Sequence, residues 1–197
     1  MNWLAHLYLS EPDAAFRIGN LLPDMVSREV LAALPDACRR GVIRHRHIDA
    51  WTDSHPLVRS GFPRFRPPVR RFAGILTDVF FDHFLSVDWL RFSPVPLPEF
   101  IAEVYGCFES HRHLVPFEAQ PILERMRQED WLGSYGSLEG IRLTLRRMSR
   151  RLRRPVDLAD AMPILETHYE AFHSDFHGFF PQLCRVVTSQ PSCPQAA

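Results

Sequence analysis

A chain of 197 residues with 46% hydrophobic content is long enough for one good core and is not the composition of a disordered or fibrous protein. Acidic and basic residues balance at 23 each, so no overall field calls for nucleic acid or an anionic membrane as partner. Every basic residue is an arginine, the side chain suited to bidentate phosphate and carboxylate recognition, and Cys38, Cys107, Cys184 and Cys193 lack the close spacing of a zinc ribbon or redox pair.

The opening stretch has no basic start, and Asn2 and His6 interrupt its apolar run, so no signal segment is expected. No run reaches the roughly 20 apolar residues that span a bilayer, and a soluble cytoplasmic protein is expected. Residues 2 to 9 read as a short buried helix with Asn2 and His6 on one side, His6 being either a satisfied core histidine or a metal ligand. From residue 16 to 26, Gly19-Asn20-Leu21-Leu22-Pro23-Asp24 interrupts an apolar run and delivers Asp24 at a bend, as a helix cap or as a group presented to a site.

After a helix from Arg28 to Leu34 and a break at Pro35-Asp36, residues 38 to 53 hold a dense cluster. His45, Asp49 and Asp53 fall on one helical stripe, usable as ligands for a divalent ion or, read plainly, as an exposed ion pair. Ile43, Ile48 and Trp51 mark the helix as partly buried, which weighs against the exposed pair. Arg46 is placed to meet a phosphate oxygen, and His47 reads as a surface residue.

A proline-rich loop follows, ending in Arg70 and Arg71, and then residues 74 to 90 form a helix that is apolar nearly all round. Asp78 and Asp82, one turn apart, and His83 are therefore carried in or beside a core. Two such carboxylates repel unless a cation, either a metal or an arginine, sits between them. Pro98-Glu99 opens a further helix, with His111 and His113 near its end as surface residues, and residues 119 to 132 suggest another. From Ile141 to Arg154 seven arginines (Arg142, Arg146, Arg147, Arg150, Arg151, Arg153 and Arg154) occur without one acid. A face of one sign in a neutral protein suits an acidic partner: a protein, nucleic acid or a membrane surface. A last helix is expected over 157 to 183 and a disordered tail over 188 to 197. With no period-two pattern, the chain reads as all-α, a single helical domain over 1–187.

The opening MNWLAHL, GNLLPD at 19–24, HRHIDAWTD at 45–53, TDVFFDHFL at 77–85, Met148-Ser149-Arg150-Arg151 and the aromatic segment from Tyr169 to Pro181 together resemble the acyl carrier protein phosphodiesterase family. The resemblance implies a hydrolase that removes 4'-phosphopantetheine from the serine of holo acyl carrier protein, requiring manganese or magnesium. It also implies a helical, HD-domain-like fold distantly related to metal-dependent phosphohydrolases. This chain has Asp82-His83 where those enzymes have the reverse dipeptide, so ligands are assigned from stripes and burial instead. Asp24, His45, Asp49, Asp78 and Asp82 are the first choices, with His6 and His83 next. Metal-activated water would attack the phosphodiester, with Arg46 holding nonbridging oxygens and His83 protonating the leaving group or ligating metal. The arginine face would dock the acidic carrier protein, with neither nucleic acid nor membrane as partner. Two rivals stay open: a phosphohydrolase of a small nucleotide or other phosphodiester, and a noncatalytic helical module binding an acidic protein or nucleic acid.

Overall fold

A computed structural model describes residues 1–152 and 155–189, and among them every regular element is helical. In chain order the α-helices are α1 (Trp3–Tyr8), α2 (Ala14–Leu21), α3 (Arg28–Ala32), α4 (Asp36–Ser54), α5 (Pro56–Gly61) and α6 (Ala73–Val87). Then come α7 (Leu97–Ser110), α8 (Gln120–Gln128), α9 (Trp131–Ser134), α10 (Leu138–Ser149), α11 (Met162–Thr167) and α12 (Tyr169–Ser189). None is long and apolar enough to cross a membrane.

Their starts follow local chemistry. Asp13, Ser27 and Ser137 accept backbone N–H groups at the heads of α2, α3 and α10, and Pro35 immediately precedes α4. Three expected helices are shorter than periodicity suggests. The 119–132 stretch divides because Asp130 takes a left-handed conformation and its carboxylate caps α9. The arginine-rich helix stops at Ser149, whose hydroxyl donates to the Leu145 carbonyl and accepts the Leu158 N–H, turning the chain back. The 157–183 stretch divides at His168, and α12 then runs on to Ser189. Arg153, Arg154 and residues 190–197 lie outside the described residues.

The core forms around α6, as its pattern requires. Leu76, Val79, Phe80, Phe81, Phe84 and Leu85 are fully buried. On the α12 side Phe80 meets Phe172 edge-on at 5.4 Å, and Phe81 meets Phe176 and Phe179 at 5.6 and 5.4 Å between ring centres. On another side α2 and α4 cross with main chains in contact. A Cβ on Gly41 would overlap the Phe16 carbonyl oxygen, and one on Gly19 the Cys38 carbonyl. That close crossing brings Asn20 of α2 against His45 of α4.

Candidate active site

Asn20 fixes two imidazoles. Its Nδ2 donates to the His6 carbonyl at 2.7 Å and to Ser10 Oγ at 2.8 Å, which turns its Oδ1 toward His6 Nδ1 at 3.1 Å. Its own backbone carbonyl meets His45 Nδ1 at 2.8 Å. Each Nδ1 faces an acceptor and so carries the proton, an assignment that rests on the surrounding network. The two rings stack at 4.1 Å between centres and 14° between planes. Both present Nε2 to Asp49, at 3.1 Å from Oδ1 for His6 and 3.0 Å from Oδ2 for His45.

Burial holds the His6 pKa below its ordinary value, against the pull of the Asp49 carboxylate. A neutral His6 with its proton on Nδ1 directs the Nε2 lone pair at Asp49 Oδ1 and at the Met1 carbonyl oxygen, also 3.1 Å away. Three electron-rich atoms then face each other, an arrangement that calls for a cation among them. His6, His45 and Asp49 fit a metal ion on this ground, their donor atoms all lying within 4.8 Å of one another. Burial alone would raise the Asp49 pKa, but His45 and His6, when they carry a second ring proton on Nε2, and the Met1 amine hold it far below the carboxylate range. Asp24 stands at the edge of the group, with Oδ2 held by the Trp3 indole N–H at 2.9 Å and Oδ1 3.6 Å from His45 Nε2.

The two acids of α6 are engaged differently. Asp78 Oδ1 lies 3.0 Å from the Met1 amino group, which is also 3.4 Å from Asp49 Oδ1, so this amine stands between Asp78 and Asp49. Burial would lower the pKa of that amine, but Asp78 and Asp49 outweigh it and raise it to about 11. Burial raises Asp78 to about 6 despite the same amine. Asp82 is fully buried and accepts the N–H groups of Leu4, at 2.7 Å, and Ala5, at 3.3 Å, so that it caps α1. Burial pushes its pKa to about 7.

Asp24, Asp49 and Asp78 form one wall of a cleft of about 390 Å³. Ile75 and Val79 of α6, Trp131 of α9, Met148 of α10, and Leu152 and Leu158 beyond it make its apolar surface, and Arg147 and Arg151 stand at its basic side. Arg147 lies 4.9 Å above the Trp131 ring and bonds Glu129 Oε2 through Nη2 at 3.1 Å. Its Nη1 and the Thr144 hydroxyl are buried without a hydrogen-bond partner, and both residues line the cleft. Two unanswered donors beside an acidic wall describe a place for an anion that binds together with a cation.

The remaining expected site residues fall outside this group. His83 is wedged between the Tyr135 carbonyl, 2.7 Å from Nδ1, and the Tyr169 hydroxyl, 3.0 Å from Nε2. Arg46 is exposed on α4 and does not line the cleft. Arg142 pairs with Glu139 and Glu166, while Arg146, Arg150 and Arg151 are exposed and make no ion pair among the described residues. Sequence reasoning passed over Asn20, Trp3, Trp131, Thr144 and the Met1 amine. Only Asn20 carried a signal, a polar residue inside the apolar run from Phe16.

A family model described as acyl carrier protein phosphodiesterase matches residues 1–183. An acyl carrier protein phosphodiesterase of Enterobacter sp. (strain 638) is 37% identical over 184 residues, covering 93% of this chain and 95% of the relative. Another of that description, from Klebsiella pneumoniae subsp. pneumoniae, is 34% identical over 197 residues, covering 96% and 99%. One from Escherichia coli O139:H28 is 34% identical over 189 residues, covering 93% and 95%. No solved structure matches.

Proposed function

The chain belongs to the acyl carrier protein phosphodiesterase family, and from that premise we propose how its cleft performs a metal-assisted hydrolysis. The reaction cleaves the phosphodiester of holo acyl carrier protein, releasing 4'-phosphopantetheine and leaving the apo protein with its free serine. The observation that carries the reading is that Asp49 of the His6–His45–Asp49 group lines the same cleft as the unpartnered Arg147 and Thr144 donors, with the two imidazoles behind it.

His6, His45 and Asp49, with Asp24 and Asp78 alongside, would hold manganese or magnesium, which when bound supplies an acidified water and positive charge at the phosphate. Asn20 keeps both imidazoles presenting Nε2. Arg147 Nη1 and Thr144 Oγ1 donate to nonbridging phosphate oxygens and orient the phosphorus. The pantetheine arm lies along Ile75, Val79, Met148, Leu152 and Leu158, which exclude water from the reacting bond. Asp82 and His83 act by position: one fixes α1, and the other ties α6 to Tyr135 and Tyr169. Arg151, which lines the cleft, and the exposed Arg146 and Arg150 meet the acidic surface of the carrier protein. Residues 1–187 act as one phosphodiesterase domain in a cytoplasmic setting.

The test is the intact mass of holo acyl carrier protein after incubation with the protein and manganese. Loss of the phosphopantetheine mass is expected, abolished by chelator and by His45→Gln with Asp49→Asn. Arg147→Gln should lower kcat/KM about 10- to 100-fold, the worth of one charge-assisted hydrogen bond. An unchanged mass with folded, metal-supplied protein would reject the reading.

A further inference from the structure

A second convergence of ligand atoms lies outside the cleft, at the C-terminal end of α6. Asp88 is the residue that ends that helix. His173 and His177 stand one turn apart on α12, and both bring Nε2 to the same carboxylate oxygen. His173 lies 2.5 Å and His177 2.7 Å from Asp88 Oδ2, and the two nitrogens are 3.0 Å apart. All three residues are half-buried, with side chains 18 to 27% exposed, so the point they face is open to solvent.

Two N–H donors serving one oxygen normally follow separate lone pairs and stand well apart. Here the nitrogens are as close to each other as to a hydrogen-bond partner, the pattern of lone pairs directed at one point. Two imidazoles at i and i+4 on a helix plus one carboxylate form a recurring three-ligand set for a late first-row divalent ion. Bonds of about 2.0–2.1 Å would spread the three atoms to roughly 3.3 Å, a movement of a few tenths of an ångström for half-exposed side chains. Arg91, with Nη1 3.5 Å from His177 Nε2, is exposed and free to swing aside.

We infer that Asp88, His173 and His177 form a second metal site, selective for zinc-like ions, that clasps the end of α6 to α12. The site shares no residue with the His6–His45–Asp49 group and does not depend on the reaction assigned to the cleft. Its role follows from its place. Tyr169, one turn before His173 on α12, holds His83, so the clasp stiffens the helix pair that backs the cleft.

The experiment uses cobalt(II) as a spectroscopic probe and zinc as the stabilising ion, on the full chain with His45→Gln and Asp49→Asn silencing the first group. The expected result is one equivalent of cobalt with visible d–d absorption, and a Tm raised about 5–10 °C by zinc at roughly 100 times its Kd. Adding His177→Gln or Asp88→Asn abolishes both. Because the background variant stands to lose stability, the same substitutions are also made singly in the unaltered chain. There each should remove one bound equivalent with unchanged far-UV circular dichroism. Absence of cobalt absorption in the folded background variant, or absorption that survives His177→Gln, would overturn the assignment.

Discussion

Asn20 does more for the site than any acid, since its side chain sets one imidazole and its backbone the other. Asn20→Ala leaves His45 anchored through the main chain but frees His6, and manganese affinity should fall about 10- to 100-fold by titration calorimetry. Asp82 allows a pH prediction. Its folded pKa of about 7 stands above the ordinary 3.8, so between those values the folded protein holds a proton that the unfolded chain has released. Stability from this group is full below pH 3.8 and is lost as pH rises toward 7. In chelator, the urea midpoint should drop between pH 5 and pH 8, and the drop should be smaller in Asp82→Asn; an equal drop in both would remove Asp82 as its source. The His45–Asp49 stripe was legible in the sequence because helical spacing alone joins those residues. His6 meets them across a tertiary contact, and its pairing with Asn20 has no spacing that could announce it.

At the level of elements, the contact that matters most is the crossing of α2 and α4, where Gly19 and Gly41 allow main chain to touch main chain. Gly41→Ala puts a methyl group where a carbonyl oxygen lies, and backbone cannot step aside as a side chain can. Its cost should reach about 3 kcal/mol, the upper end of ordinary overpacking, read from the urea midpoint, with a parallel loss of manganese affinity as Asn20 moves from His45. The apolar circumference of α6 was readable as a core helix because nearly every position obeys it. The ends of α8 and α10 were not, since Asp130 and Ser149 break those helices through local hydrogen bonds that an apolar period does not encode. For the same reason the described part of the arginine run divides into Arg147 with its buried donor, the paired Arg142, and the exposed Arg146, Arg150 and Arg151.

Across the whole molecule, three acids, Asp24, Asp49 and Asp78, and two arginines, Arg147 and Arg151, line one cleft, although the net charge is zero. Arg146→Glu combined with Arg150→Glu should lower kcat/KM for holo acyl carrier protein tenfold or more, by about the worth of electrostatic steering. The same pair should flatten the salt dependence and leave turnover of bis(4-nitrophenyl) phosphate unchanged; equal loss on both substrates would place these arginines in the chemistry instead. The ligand group and the cleft also differ in when they come into being. His6, Asn20, Asp24, His45 and Asp49 all belong to the first quarter of the chain, whereas Ile75, Val79, Trp131, Arg147 and Leu158 come from later parts. During synthesis the ribosome therefore makes His6, Asp24, His45 and Asp49 before these walls, and Asp78 together with the first of them. The nascent chain acquires most of the proposed ligand atoms early and their enclosure late, with Arg147 among the last pieces to arrive.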